Sequence, residues 1–409
     1  MGVKLDYKKT LLIGLAFFSA SMLWPVYNTY VPIFLEKYIS STLLIGFIMT
    51  FDNIFAVVFQ PIFGALSDRV NTRYGRRMPF LLIGVPLAAI FFSLIPFESN
   101  LPMLMAFVIL TIFSMSIYRA PAVALMPDLT PAPLRSKANG VINLMGGIAA
   151  VISYGLGGVL YNANRHYPFY MVSVVMVVAV ILLYNFVKEP KEIPKEEEKK
   201  EEASKDGDAK GKLLSLIFLL LAIFFWFTGY QAVEAFFSLY GKYVLGIKEG
   251  DASILLMFLS GSFVLFSLPA GMIATKFGRR NTIMVGLAVA IALFIAMSFI
   301  TSVAVIRILL IIGGICWALI NVNSYPMVVE MTTARGIGKY TGYYYFFSSL
   351  AAIVSPSLFG WIRDVVGSYH PLFIYAALSF LIALFFIMLV KHGEASVEKA
   401  HPLEALEEI

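Results

Sequence analysis

Three charged residues stand inside long apolar stretches of the sequence: Asp52, Arg119 and Glu234. A charge within an apolar membrane helix is costly, which makes each of them a candidate for function. At the helical rise of about 1.5 Å per residue, Asp52 and Arg119 lie roughly 21 Å and 13 Å from the same end of their helices. An arginine side chain, a water or a bound solute can bridge this difference, so a solute that competes for Arg119 would change the proton affinity of Asp52. The alternative is a static ion pair that locks two helices together.

Glu234 lies close in sequence to Gly229 and Gln231. This combination suggests a locally opened helix whose polar groups face a cavity. The position of Glu234 near one end of its apolar stretch also fits a surface charge in the lipid headgroup zone, and both interpretations stay open. In the first interpretation, Glu234 joins Asp52 and Arg119 as a candidate for proton or cation coupling.

Polar and aromatic side chains in the apolar stretches supply hydrogen-bonding groups and flat faces, which a polyhydroxylated ligand needs. The asparagines carry the most weight, because an amide that faces lipid is left without a partner. Single aromatic residues in membrane helices more often pack against neighbours or form the interfacial belt. The candidate ligand contacts are Tyr27, Asn28, Tyr118, Arg119, Asn143, Trp226, Gln231, Trp317, Asn321 and Asn323.

The composition requires that these residues be positioned by membrane helices. Of 409 residues, 59% are hydrophobic and 14% are charged, and the mean hydropathy is +0.83. A soluble chain carries roughly a quarter of its residues as charges, so a water-soluble enzyme is excluded. One cysteine and four histidines, all four in predicted loops or the tail, predict no disulfide, no metal site and no cofactor. No basic run is interleaved with aromatics, so nucleic acid is not expected as a partner.

A membrane helix takes about 20 apolar residues, and the apolar stretches accordingly predict twelve spans. Helices are required because lipid satisfies no backbone polar group. We interpret the first stretch as a retained helix and not as a cleaved signal peptide. The predicted spans cover residues 10–35, 42–66, 79–97, 102–127, 138–161, 168–187, 213–241, 251–275, 281–301, 304–329, 340–362 and 370–390.

The distribution of basic residues orients these spans. The N-terminal segment, the C-terminal tail and the loops after even-numbered spans hold most of the 31 Lys and Arg residues. Basic residues are enriched on the cytoplasmic side, so both termini are expected in the cytoplasm and the protein in the plasma membrane. The bilayer is then a partner of the chain, and no exposed seam indicates an oligomer, so we expect a monomer.

A charged linker and an internal repeat divide the chain into two halves. The segment 189–211 mixes acidic and basic residues without an apolar face, which is typical of a solvated linker. The sequences from Asp128 and from Glu330 resemble each other at an offset of about 202 residues. We therefore predict an all-α membrane protein of two pseudo-symmetric six-helix halves, which indicates a transporter that rocks the halves around a central site. The predicted units are 1–188, the linker 189–211, 212–391 and a tail over 392–409.

The loop after span two has a charged motif that begins at Gly64 and ends in Gly75-Arg76-Arg77. Its glycines allow a tight turn and a close approach of helices. Its acid can pair with an arginine or lie at a helix N-terminus, and such a cluster can latch a gate in one state. Orientation by basic residues alone would explain the arginines but not the glycine spacing. The candidate gate residues in both halves are Gly64, Asp68, Arg69, Gly75, Arg76, Arg77, Asp128, Arg135, Gly271, Gly278, Arg279, Arg280 and Glu330.

This motif resembles the loop signature of the major facilitator superfamily. The segments from Val58 to Gly64 and from Tyr118 to Leu129, with the insertion between Asp68 and Gly75, resemble its glycoside–pentoside–hexuronide and sucrose:proton symporters. The resemblance implies the twelve-helix facilitator fold and proton-coupled uptake of a sugar. The sequence departs from the sodium-coupled members at Gln60, where these carry an aspartate.

The resulting hypothesis is a secondary transporter that couples a proton, or less readily sodium, to uptake of a glucoside or small oligosaccharide. In it, Asp52 carries the proton, Arg119 couples it to the sugar, and the cluster around Asp68 and Arg76 holds the inner gate. The alternatives are an exporter of drugs or other small amphiphiles on the same fold, and a polytopic membrane enzyme or receptor. An enzyme would need convergent histidines, cysteines or paired acids, which the sequence does not offer.

Overall fold

The computed structural model describes residues 5–131, 134–189, 209–332 and 337–394, and this part of the chain is helical apart from short connections. Most of the predicted linker, the end of the tail and Arg335 lie outside the described residues. The helices are α1 (Tyr7–Glu36), α2 (Thr42–Met49), α3 (Phe51–Arg69), α4 (Met78–Leu94), α5 (Leu101–Leu129), α6 (Arg135–Ala163), α7 (Tyr167–Phe186), α8 (Ala209–Tyr243), α9 (Glu249–Phe277), α10 (Arg279–Met297), α11 (Val303–Val329), α12 (Ile337–Val366) and α13 (Pro371–Leu389).

Within the described residues, twelve helical segments are long and apolar enough to cross a membrane, which confirms the predicted number of spans. Helices α2 and α3 together form span two. Span three is α4 followed by a 3-10 turn over Ile95–Phe97, and the other spans are each one helix. The break in span two falls at Thr50, whose hydroxyl donates to the Phe47 carbonyl oxygen at 2.7 Å. The helix restarts at Phe51, so Asp52 stands in the first turn of α3.

The spans form two halves, α1–α7 and α8–α13. The ends of the bundle differ, and we name them for what they carry. The "basic end" carries the loop 70–77 and the C-terminal end of α5, and the "closed end" carries the loops 37–41, 98–100 and 164–166. The main contacts between the halves pair α6 with α9, α2 with α12 and α1 with α8.

Glycines bring the halves together near the closed end. A Cβ on Gly46 of α2 would collide with the Pro356 carbonyl of α12. A Cβ on Gly158 of α6 would lie 2.5 Å from the Gly250 carbonyl oxygen of α9. Since real side chains do not approach that closely, only glycine permits these backbone contacts between the halves.

Polar bonds across the same end reinforce the contact. The Asp364 carboxylate on α12 accepts from the Thr42 and Leu43 backbone N–H groups at 2.8 and 3.0 Å and from the Ser41 hydroxyl at 2.9 Å. These donors form the N-terminus of α2, where an anion is favoured by the free N–H groups and the helix dipole. Asn162 donates to Asp251 at 2.7 Å, also between the halves. The closed end is therefore sealed by both packing and hydrogen bonds.

At the basic end, the Arg77–Asp128 and Arg279–Glu330 ion pairs each lie within one half. Gly140 on α6 and Gly342 on α12 have open space where a side chain would point. Tyr345 and Phe346 of α12 are about 60% exposed. The described residues of the basic end thus show no seal like that of the closed end, and we interpret this end as the open end of the central cavity.

Candidate functional site: a two-lobed cavity between the halves

The centre of the molecule holds a cavity of two adjoining lobes, to which both halves contribute. The polar lobe, about 280 Å³, is lined by Asp52, Asn53, Arg119, Asn28, Gln231 and Glu234, among others. The aromatic lobe, about 310 Å³, is lined by Phe17, Tyr154, Tyr230, Phe263, Trp317 and Asn143, among others. Trp24 and Glu234 line both lobes and mark the boundary between them.

Asp52 is positioned by the break in span two. Because α3 starts at Phe51, the carboxylate lies in the first turn of a helix, where the unpaired N–H groups and the dipole favour negative charge. Its Oδ1 accepts from the Asn53 side-chain amide at 2.8 Å. Asp52 and Asn53 both face the polar lobe, so the break presents a carboxylate and an amide to the same space.

Arg119 lies in the middle of α5 and faces Asp52 across the polar lobe. Its guanidinium carbon is 5.3 Å from the centroid of the Trp24 ring, a cation–π contact. Among the described residues, the guanidinium makes no hydrogen bond and no ion pair within 4.0 Å. The direct ion pair with Asp52 considered as an alternative is therefore not formed, and all five guanidinium donors are free for water or a ligand.

Glu234 lies where the two lobes meet. Its Oε1 accepts from the Asn28 side-chain amide at 3.2 Å, a hydrogen bond between α8 and α1. The Tyr154 phenol of α6 lies beside the same carboxylate. Glu234 is consequently a cavity residue and not a charge in the headgroup zone, and it contacts the other half through both neighbours.

The expectation of an opened helix at Gly229 is wrong. Helix α8 runs unbroken from Ala209 to Tyr243. Gly229 instead permits close packing on α13, because a Cβ there would lie 2.8 Å from the Phe380 ring and 3.1 Å from the Ala376 carbonyl oxygen. Span two is the interrupted span, and it brings Asp52 to the cavity.

The structure brings four of the other candidate ligand residues to the cavity: Asn28 and Gln231 in the polar lobe, Asn143 and Trp317 in the aromatic lobe. Five candidates lie outside the lining of both lobes. Three of them, Tyr27, Tyr118 and Trp226, are fully buried between helices, and Asn323 donates back to the Leu319 carbonyl oxygen at 2.9 Å. The fifth is Asn321.

Several other cavity residues were not predicted from the sequence, among them Asn53, Tyr154 and Tyr230. Asn53 follows Asp52 directly, and the break at Thr50 turns both toward one space. The tyrosines look like belt or packing residues in the sequence. Only the packing of α6 against α9 and of α8 against α11 shows that they border a void.

The candidate gate cluster centres on Arg77, just before α4. Its guanidinium lies 2.5 Å from Asp68 and 2.9 Å from Asp128, and Arg76 lies 3.4 Å from Asp128. Burial alone would lower the pKa of Arg77, but the hydrogen bonds and charges of Asp128 and Asp68 raise it above its ordinary value. All these partners belong to one half, so the cluster joins α3, α4 and α5 of that half.

The remaining gate candidates also make contacts within one half. Arg135 donates to the Pro127 carbonyl oxygen at 3.0 Å, and a Cβ on Gly64 would meet Ala120 at 3.6 Å. The role of these residues in a gate stays a prediction. Three more gate candidates lie at the basic end. Arg69 is in the last turn of α3, Gly271 faces Val322, and Arg280 donates to the Met388 carbonyl oxygen at 2.6 Å.

Two acids that the sequence argument did not single out cap the loops that carry these arginines. The Glu189 carboxylate accepts from the backbone N–H groups of Arg76, Arg77 and Met78, the shortest bonds being 2.7 Å. The Glu394 carboxylate does the same for the Arg279 and Arg280 N–H groups, at 2.7 and 2.8 Å. Gly75 and Gly278 precede these turns with φ of 109° and 86°, values that favour glycine. The same cap thus occurs in both halves, as expected of an internal repeat.

The family model described as Major Facilitator Superfamily matches residues 11–264 and 244–407. The chain belongs to this superfamily. It is accordingly a secondary transporter of a small molecule and not an enzyme. The superfamily part of the sequence resemblance is thereby confirmed.

Among curated proteins, the chain is similar to the class H tetracycline resistance protein of Pasteurella multocida, with 23% identity over 90% of this chain and 92% of that protein. It is similar to the class B tetracycline resistance protein of Escherichia coli, with 24% identity over 86% and 90%. These relatives do not confirm the resemblance to the sugar symporter branch.

Solved structures share the fold. The D-xylose-proton symporter superposes with a TM-score of 0.72 at 17% identity, covering 94% of this chain and 98% of that chain. The nucleoside transporter NupG gives 0.70 at 14% identity, covering 94% and 99%. An inward-facing, occupied bacterial homolog of the lysosomal transporter Spinster gives 0.70 at 14% identity, covering 95% of each chain.

Proposed function

We propose that this transporter moves a glucoside or small oligosaccharide together with a proton, by alternating access, as a monomer in the plasma membrane. The distribution of basic residues supports a basic end and both termini in the cytoplasm. In this orientation the structure is the inward-open form, with the cavity accessible from the cytoplasm.

One observation carries the proposal: two carboxylates from different halves, Asp52 and Glu234, share a lobe with the unpaired Arg119 guanidinium and several side-chain amides. The amides and the guanidinium can bind hydroxyl groups of a solute. Two carboxylates and one guanidinium carry a net charge of −1, and one bound proton removes it. The halves can then close around a dry site, whereas closing on an uncompensated charge would be costly. Solute and proton thereby become mutually dependent, because both occupy the same small volume.

Uptake into proteoliposomes tests this proposal. With acid outside and a radiolabelled sugar panel, we expect accumulation that collapses with a protonophore. Asp52→Asn should abolish proton-driven accumulation while retaining counterflow, since exchange of bound solute needs no net proton movement. Glu249→Gln serves as the matched control, because this carboxyl lies at the closed end and lines neither lobe. Undiminished coupling in Asp52→Asn, or no pH-driven sugar uptake at all, would overturn the proposal.

An exporter is the second candidate, favoured by the aromatic lobe and by the similarity to tetracycline resistance proteins. The same vesicles discriminate the two functions by direction. A symporter accumulates solute on the alkaline side of the membrane, whereas a proton-driven exporter moves it toward the acidic side. A sodium gradient without a pH gradient tests sodium as the coupling ion.

A further inference from the structure

The aromatic lobe has an apolar surface that a solute with only hydroxyl groups would leave without contacts. Among the described lining residues it has no charged group except the shared Glu234. The Tyr230 and Trp317 rings stack at a centroid distance of 4.2 Å and an interplanar angle of 4°. Such a stack is a pre-formed apolar wall, and pockets with apolar walls and few polar groups bind apolar parts of ligands.

Small residues of α6 keep the lobe open on the side facing this wall. Gly146, Gly147 and Ala150 all line it. A Cβ on Gly146 would lie 2.5 Å from the Phe17 ring, and one on Gly147 would lie 2.5 Å from Val264. Larger side chains on this face of α6 would therefore either collide with the walls or fill the lobe.

Each lobe, at about 280 and 310 Å³, lies at the lower limit of ligand pockets, and the two together fall within their usual range. The lobes share Trp24 of α1 and Glu234 of α8 as lining residues, so they adjoin at this boundary. A solute that fills both lobes must therefore combine two chemically different parts within one small molecule.

We propose that the transported solute has two parts: a hydroxyl-rich part in the polar lobe and a flat apolar ring in the aromatic lobe. The Asn143 amide at the edge of the aromatic lobe can hydrogen-bond one polar substituent of that ring. The inference rests on the proposed function for the hydroxyl-rich part only. It assigns Ala150 and Trp317 as residues that determine the specificity for the ring.

Equilibrium binding to the purified full-length protein in nanodiscs tests the inference with a matched pair, methyl and phenyl β-glucoside. We expect the phenyl compound to bind the wild type at least tenfold more tightly, since the ring removes its apolar surface from water. Ala150→Leu, which fills the aromatic lobe, should reduce the phenyl compound to the affinity of the methyl compound and leave the latter unchanged. Ala352→Leu, which fills the polar lobe, is the control and should weaken both glucosides.

The remaining outcomes separate the two proposals. Equal affinities of both glucosides for the wild type, or an equal loss of both in Ala150→Leu, would overturn the two-part solute. If neither glucoside binds, a glucoside is excluded as the solute, and 4-nitrophenol then tests the ring site alone. Binding of this phenol that is lost in Ala150→Leu but kept in Ala352→Leu supports the ring site, and no binding of it overturns the ring site.

Discussion

Replacement of Asp364 by asparagine should shift the protein toward the conformation in which the closed end has opened. The Asp364 carboxylate of α12 caps the N-terminus of α2 with three hydrogen bonds of 2.8 to 3.0 Å. Because α2 and α12 belong to different halves, these bonds exist only while the closed end is closed. Their loss destabilises one conformation of the transport cycle and leaves the packing within each half intact.

The size of the shift follows from the geometry. A hydrogen bond to a charged acceptor contributes about 1.5 to 3 kcal/mol when buried. The Asp364 side chain is 26% exposed and also lies 3.4 Å from Arg363, and an asparagine oxygen still accepts one bond. We therefore expect a net loss of about 1 to 2 kcal/mol, which changes the ratio of the two conformations by a factor of about 5 to 30.

Spin-label distances between the halves measure this ratio. Cys316 is the single cysteine of the chain and is buried, so a Cys316→Ala background allows labels at Ser99 and His370 in exposed closed-end loops. Asp364→Asn should add a population at longer distance, and Asp364→Glu should largely remove it.

The matched control is Glu98→Gln at the same end. The Glu98 carboxylate bonds Lys37 at 2.7 Å and Arg165 at 3.3 Å, all within one half, so its loss should not change the distance distribution. An unchanged distribution in Asp364→Asn, or an equal change in Glu98→Gln, would refute the reasoning.

Three further predictions follow from contacts described above. Gly46→Leu should also populate the longer distance, because its side chain collides with the Pro356 carbonyl; a distribution like that of the wild type would contradict the packing argument. Glu189→Gln should lower the apparent melting temperature in detergent by a few degrees, since it weakens three charged caps worth about 1 to 3 kcal/mol in total, whereas Asp6→Asn at an exposed helix start should change it less. Arg77→Ala should lower the melting temperature more than either of these variants, with a loss of about 3 kcal/mol, because it removes the buried guanidinium that pairs with Asp68 and Asp128 and leaves Asp128 only the longer contact with Arg76; an unchanged melting temperature would count against this role.

The sequence predicted the features that depend on local composition and on the repeat. The number of spans follows from apolar length, and the equivalent loops around Gly75 and Gly278 follow from the internal repeat. Asp52, Arg119 and Glu234 were predicted as functional candidates because charge in a membrane helix is costly, and all three line the cavity. The rise per residue of the helices did not show that these three side chains line one cavity.

Features that depend on distant partners were not predictable. The break at Thr50 has no glycine or proline to announce it, whereas Gly229, which does resemble a break, serves packing on α13. The Asp364 cap joins residues more than 300 positions apart in sequence. Buried aromatic residues such as Trp226 look like Trp317 in sequence, and only helix rotation decides which of them borders a void.

The two capping glutamates have a consequence for the assembly of the chain. Glu189 ties the end of the first half to its own α4, and Glu394 ties the end of the second half to its own α10. Neither cap needs the other half, so the C-terminal end of each half is held in place by residues of that same half. A chain cut between residues 190 and 208 should consequently reassemble from two separately synthesised pieces. A gene for this protein could therefore be divided into two without loss of transport.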